Sequence, residues 1–482
     1  MNSFLKNTLK LTSGSLIAQI MGVILVPIIT RLYSPDDLGA LQLITSIVSI
    51  LAIIALLSYH LAIMLPKEDS DAVNIFILCL ISLTTTCVIT GIICIIFGNQ
   101  LVKFFNFTSI SDYLYFIPII IFFKGLFLLL NYWASRMKKF GKIASSRVIN
   151  TSTSRAVQII SGYISPSPFG LILGLAFGFF VSSMMLILGL KENLNLLKYS
   201  SKKSILGLAQ RYKKFPMFST LSTIANDISV QIPVFLLAMY FNSSVVGHYS
   251  LSIMVIGMPM TLIGSSIAQV FFQQVSHEKN TKGTVCETVE LVHKRLVALI
   301  IFPMLVLLFF SEELFNFIFG VGWETAAIYV KLLIPWTIML FTSSPLTTLF
   351  NVLENQETKF SFDVSLLISR ILVLFIGGLL GNPYLAVFLY AIVGSVFCAF
   401  MNILLLKKSG ISVKKEIIYF GKILIIAVPS TLLLSITKLI SHSIYEIIFG
   451  LVISSLFYYL IVIYNDNELK NIFTKYIIRG RT

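Results

Sequence analysis

The stretch IASSRVINTSTSRAVQIISGYI carries Arg155 among Ser145, Ser146, Asn150, Thr151, Ser152, Thr153, Ser154 and Gln158. It is far too polar to face lipid. A guanidinium grips phosphate oxygens through two parallel hydrogen bonds, so a cavity lined by this helix would suit an anionic, oxygen-rich ligand. Lys124 and Arg370 fall inside two other apolar stretches, and Arg31 and Lys331 fall at the ends of two more. Charge within a membrane is costly, so such cations face a wet cavity or find a partner.

A second reading stands beside each of them. Lys124 and Lys331 can snorkel to the interface. Arg31 can cap its helix and balance Asp36 or Asp37, and Arg370 can pair with Asp363, two helical turns earlier. Asp227 is the deepest carboxylate; it can exchange protons or hold sodium, or it can pair with a cation or the backbone. His60 can titrate near neutrality. Pro27, Pro233 and Pro259 interrupt helical hydrogen bonding, and the first two are candidate hinges. Cys79, Cys87 and Cys94 share one helix, and no cysteine spacing resembles a zinc site, so neither metal nor cofactor is expected.

These residues sit on about fourteen apolar stretches, each near the ~20 residues that an α-helix needs to cross a bilayer. They run over 11–32, 38–64, 73–98, 113–134, 143–164, 168–190, 214–241, 245–273, 295–320, 326–352, 361–381, 384–406, 417–440 and 444–464. The 482 residues are 57% hydrophobic and 12% charged. A soluble chain would carry roughly twice that charge. The expected fold is therefore an all-α membrane protein without a separate soluble domain. Most Lys and Arg fall on alternate gaps and on both termini, which predicts an even number of spans with both ends cytoplasmic. Net charge +15 would suit nucleic acid in a soluble protein, but in short juxtamembrane loops it serves topology and anionic lipid. No nucleic acid is expected.

Residues 15–60 align without gaps on 223–268. Ile24 falls on Ile232, Val26 on Val234, Gly39 on Gly247 and Leu43 on Leu251, with Pro27 and Pro233 two positions apart. The spacing predicts parallel repeats related by an axis along the membrane normal, with a substrate site between them. The expected organisation is a six-helix lobe over 1–192, a basic cytoplasmic linker over 193–213, and a second six-helix lobe over 214–408. Two added helices and a basic tail occupy 409–482.

VPIITRLYSPDDLGALQL resembles the Wzx-type flippases of lipopolysaccharide and capsule repeat units. The segment from Tyr212 to Glu278 (YKKFPMFSTLSTIANDISVQIPVFLLAMYF onward) resembles them more closely. These belong to the multidrug/oligosaccharidyl-lipid/polysaccharide exporter superfamily. The resemblance implies two lobes forming a V around a central cavity that opens to each side in turn. It also implies a polyprenyl-pyrophosphate-linked oligosaccharide as substrate, carried across the bacterial inner membrane for O-antigen or capsule synthesis. Other polysaccharide assembly proteins are possible partners, beside the membrane lipids. On this reading Arg155, Arg370, Lys124 and Arg31 meet the substrate's anions, and Asp227 couples an ion.

Two other classes are weighed. A MATE-like ion-coupled exporter of small molecules would share the fold. A polymerase or ligase of the same pathway would carry its catalytic groups on a large extracytoplasmic loop. Here the outer gaps offer little beyond Glu312, Glu313 and Glu324, and no phosphate-binding loop for ATP is present, so no enzyme is expected.

Overall fold

In a computed structural model, residues 3–190, 201–261, 265–353, 355–441 and 443–466 are described. The first part of the expected linker, 193–200, and the basic tail beyond 466 lie outside them. Helices account for nearly all of the described chain, and no strand occurs among those residues. Twelve helices there are long and apolar enough to cross a membrane. Two of the expected fourteen spans are not among the twelve. The 143–164 span is a helix of sufficient length but too polar, and the 245–273 span includes residues 262–264, outside those described.

The chain divides into two compact units, Met1–Ser250 and Leu251–Thr482. The first contains α1 (Ser3–Ile24), α2 (Val26–Leu32), α3 (Pro35–Leu56), α4 (Tyr59–Ala62), α5 (Asp69–Phe105), α6 (Ile117–Arg136), α7 (Phe140–Ile164) and α8 (Pro168–Gly189). It continues through α9 (Lys202–Arg211) and α10 (Leu221–Tyr240), and ends within α11 (Ser243–Pro259).

The start of α3 is written in its sequence. Ser34 caps the helix, its hydroxyl accepting from the Asp37 amide at 3.2 Å while the Asp37 carboxylate accepts from the Ser34 amide at 2.9 Å. Pro35 fits the first turn, where no amide is needed, and the acidic pair suits the positive helix end. At the other end Leu57 and Ser58 take left-handed φ values of 45° and 54°, which stops the helix. The polar α7 is shielded by packing between α1 and α8. On α8, Gly170, Gly174 and Gly178 let the two backbones close in. A Cβ on Gly174 would lie 2.7 Å from the Ser154 carbonyl oxygen, and one on Gly178 2.9 Å from that of Asn150.

The second unit contains α12 (Ser265–Lys282), α13 (Cys286–Phe319), α14 (Glu324–Ser343), α15 (Leu349–Val352) and α16 (Gln356–Leu379). It closes with α17 (Pro383–Lys408), α18 (Val413–Ile440) and α19 (Ile444–Asn465). Its long α13 kinks at Phe310, where φ and ψ leave the helical region. The α13, α18 and α19 helices share an apolar core in which Phe302 stacks on Tyr458 and the Tyr458 hydroxyl donates to the Ala298 carbonyl at 2.8 Å. That polar tether satisfies a hydroxyl in an otherwise apolar setting.

Candidate functional site

Arg155 lies half-buried on α7, and its Nη1 donates to the Gln158 side-chain oxygen at 3.0 Å. Gln158 is itself fixed: its side-chain amide donates to the Leu171 carbonyl at 3.0 Å, and its main-chain carbonyl accepts from the Tyr33 hydroxyl at 2.6 Å. Burial, with Asp37 adding to it, pushes the Tyr33 phenol up to about 12, so it remains the donor. Arg147 lies eight residues earlier on the same helix, and its Nη1 donates to the Ser15 hydroxyl of α1 at 2.5 Å. Among the described residues no carboxylate pairs with either guanidinium. Both cations are held by neutral groups and keep unspent charge.

A polar seam crosses α3, α6 and α10. Lys124 Nζ donates to the Ser49 hydroxyl at 2.8 Å and lies within electrostatic reach of Asp227. Asp227 Oδ2 is buried without a hydrogen-bond partner. One turn farther along α10, Gln231 accepts from Ser46 at 2.8 Å, and Ser46 in turn accepts from Gln42 at 3.4 Å. The rungs put Lys124 and Asp227, separated by about a hundred positions in sequence, into one constellation. Ser46, Ser49 and Gln231 were not singled out from sequence. Ser46 and Ser49 sit three positions apart on α3, and Asp227 and Gln231 four apart on α10, spacings that put each pair on one helix face.

The other expected site residues have separate settings. Arg31 is exposed in the last turn of α2, where Asp37 serves the α3 cap and Asp36 accepts from the Ser243 hydroxyl at 2.7 Å. Arg370 belongs to the second unit and is 8% exposed. Its guanidinium carbon lies 4.9 Å from the Tyr390 ring centre and 5.6 Å from that of Trp336, a cation–π arrangement. Asp363 meanwhile pairs with Lys359 at 3.0 Å, and Lys331 pairs with Glu312. Pro27 stands in the first turn of α2, just after the break at Leu25, whereas Pro233 is buried inside an uninterrupted α10.

Two further features escaped sequence reasoning. His293 on α13 and Glu416 on α18 meet at 2.7 Å, almost fully buried, with Lys294 Nζ 3.8 Å from the other Glu416 oxygen. Only the packing of helices more than a hundred residues apart reveals this pair. The second is a reciprocal crossing of α3 and α11. A Cβ on Gly39 would overlap the Ser243 carbonyl oxygen, and a Cβ on Gly247 would overlap that of Pro35. In the gapless repeat alignment Pro35 falls on Ser243 and Gly39 on Gly247. Equivalent positions of the aligned segments thus make equivalent contacts at this crossing.

Comparison with known proteins follows from this geometry. The chain is similar to a structure of the lipid II flippase MurJ in an inward closed conformation, with TM-score 0.69 and 16% identity over 97% of this chain and 99% of that one. It is also similar to an inward-facing multidrug resistance MATE family transporter of the MOP superfamily, with TM-score 0.58 and 14% identity over 81% and 96%. A MOP superfamily transporter from Pyrococcus furiosus gives TM-score 0.55 and 12% identity over 84% and 96%. Identities this low establish the shared fold alone. A search of curated proteins by sequence gives no match. A family model described as polysaccharide biosynthesis protein matches residues 28–328, and the chain belongs to that family.

Proposed function

We propose that this chain carries undecaprenyl-pyrophosphate-linked oligosaccharide repeat units across the bacterial inner membrane, for O-antigen or capsule synthesis. In this reading both termini are cytoplasmic and the lobes are 1–192 and 214–408, joined by the 193–213 linker and followed by the added helices over 409–482. Transport proceeds by alternating access. Arg155 and Lys124 meet the anions of the headgroup, Arg31 lies at the outer rim, and Asp227 exchanges the coupling ion. Arg370, stacked on its rings, holds the second lobe together.

The observation that carries the reading is the unneutralised charge of the first unit. A guanidinium within the membrane that lacks a carboxylate is expensive unless water or a mobile anion reaches it. A lipid-linked pyrophosphate is a permanent anion, and the hydroxyls and amides of α7 are the partners a sugar headgroup needs. The family's link to polysaccharide synthesis and the fold shared with a lipid II flippase point the same way. Nothing of the kind favours catalysis, and the reading is of a transporter.

The test is a deletion strain complemented with this chain. Restored surface glycan, with no accumulation of the lipid-linked unit in the cytoplasmic leaflet, is the expected outcome. Unchanged glycan display together with lost drug resistance in the deletion strain would instead identify a small-molecule exporter.

A further inference from the structure

Arg147 lies near the start of the polar stretch 143–164. The structure seats it inside α7, lining a cavity of about 300 Å³ with Ser15 and Gln19 of α1, Phe127 of α6, and Asn150 and Thr151 of α7. The cavity has a distinctive chemistry. It holds one cation, no carboxylate, and four hydroxyl or amide side chains. A guanidinium offers five N–H donors, and the neutral Ser15 oxygen at 2.5 Å is its hydrogen-bond partner. Asn150 is held from behind, its amide donating to Ser182 of α8 at 3.3 Å. A structural arginine in a membrane finds a carboxylate, backbone carbonyls or aromatic faces, as Arg136 finds Asp69 at 2.9 Å and Arg370 finds Tyr390 and Trp336. Among the described residues Arg147 meets none of these, only the Ser15 hydroxyl.

We propose that this cavity is a pyrophosphate-binding station, separate from Arg155, in which Arg147 first takes up the anionic group of a lipid-linked substrate. The proposal rests on the transport reading above and adds a site to it. Arg147 lies seven residues from the start of α7, about 10 Å along the helix, and Arg155 lies about 12 Å beyond it. With the Phe140 end of α7 at the cytoplasmic face, Arg147 stands near the level of inner-leaflet phosphates. The cleft is open to one side and has room for a phosphate group with its hydration. The two arginines then form successive stations on one rigid helix, and the charge is handed from one guanidinium to the next.

The test uses the full-length protein in lipid nanodiscs, titrated with undecaprenyl pyrophosphate and, separately, with undecaprenyl phosphate. Wild type should prefer the pyrophosphate. Arg147→Gln should weaken pyrophosphate binding about tenfold, the scale of a charge-assisted pair of hydrogen bonds, and abolish the preference over monophosphate. Arg147→Lys should recover part of the affinity, because it keeps charge without the planar fork. A merely structural arginine would move thermal stability and leave that preference unchanged. Wild-type preference in folded Arg147→Gln overturns the station and leaves the transport reading intact wherever wild type still restores surface glycan. If Arg147→Gln does not fold, Arg147→Lys decides: reduced preference supports the station, and full preference overturns it. A wild type that neither prefers pyrophosphate nor restores glycan overturns both.

Discussion

Cations within the helices of the two units find different partners. In the first unit Arg147 meets the Ser15 hydroxyl and Arg155 the Gln158 amide, while Lys124 meets the Ser49 hydroxyl within electrostatic reach of Asp227. In the second, Lys331 meets Glu312, Lys438 meets Glu313 at 3.1 Å, Arg295 meets Asp466, and Arg370 is covered by two aromatic rings. Arg136 of the first unit pairs with Asp69 at the ends of α6 and α5. Pairing a charge inside the protein settles its electrostatics and removes it from ligand chemistry. Leaving it with neutral donors and acceptors keeps it responsive to an anion that arrives and departs. Under the transport reading proposed above, the paired cations of the second unit serve as scaffold and Arg147 and Arg155 of the first handle charge.

The most damaging change should reverse the sign of an unpaired cation. Arg155→Glu should cut surface glycan per inserted molecule about a hundredfold or more, since an attraction worth about 3 kcal/mol becomes repulsion. Arg155→Lys should keep part of the activity. Equal display by wild type and Arg155→Glu at matched protein levels would erase the contrast between the units.

A scaffold charge should behave the opposite way. Glu416→Ala strips a buried partner from His293 and Lys294 and should cost about 3–5 kcal/mol of stability. Glycan display per folded molecule should stay near wild type. Thermal unfolding and display, measured on the same membranes, separate the two effects; intact stability with lost display would assign this pair to transport.

The smallest effect is expected at Lys331→Ala. Its pairing with Glu312 is partly exposed, and such pairs contribute about 0–1 kcal/mol. Stability and display should both remain close to wild type, and a tenfold loss of display would move Lys331 into the charge-handling set.

Much of this was legible in the residues. SPDDLG announces a capped helix start, and the polarity of 143–164 marks α7 as the stretch that cannot face lipid. The alignment of Gly39 on Gly247 anticipated a repeat, though not that the two glycines meet across one crossing. The hydrogen bond from Arg147 to Ser15 was illegible, since it joins α7 to α1. The His293–Glu416 pair and the Ser49–Lys124–Asp227 seam were illegible, since each joins helices that no local pattern links.

By itself the sequence determined an all-helical membrane chain, most of its spans and its polar α7. These depend on hydrophobicity and charge counted along the chain, and the bilayer reads them locally. Which cations are neutralised was decided by tertiary structure alone. Whether a guanidinium meets a carboxylate, a ring or a hydroxyl depends on helix rotation and neighbour choice. Glycines such as Gly174 and Gly178 set those by letting particular backbones approach. The same residue type, arginine, thus meets aromatic rings at Arg370 and an amide or a hydroxyl at Arg155 and Arg147.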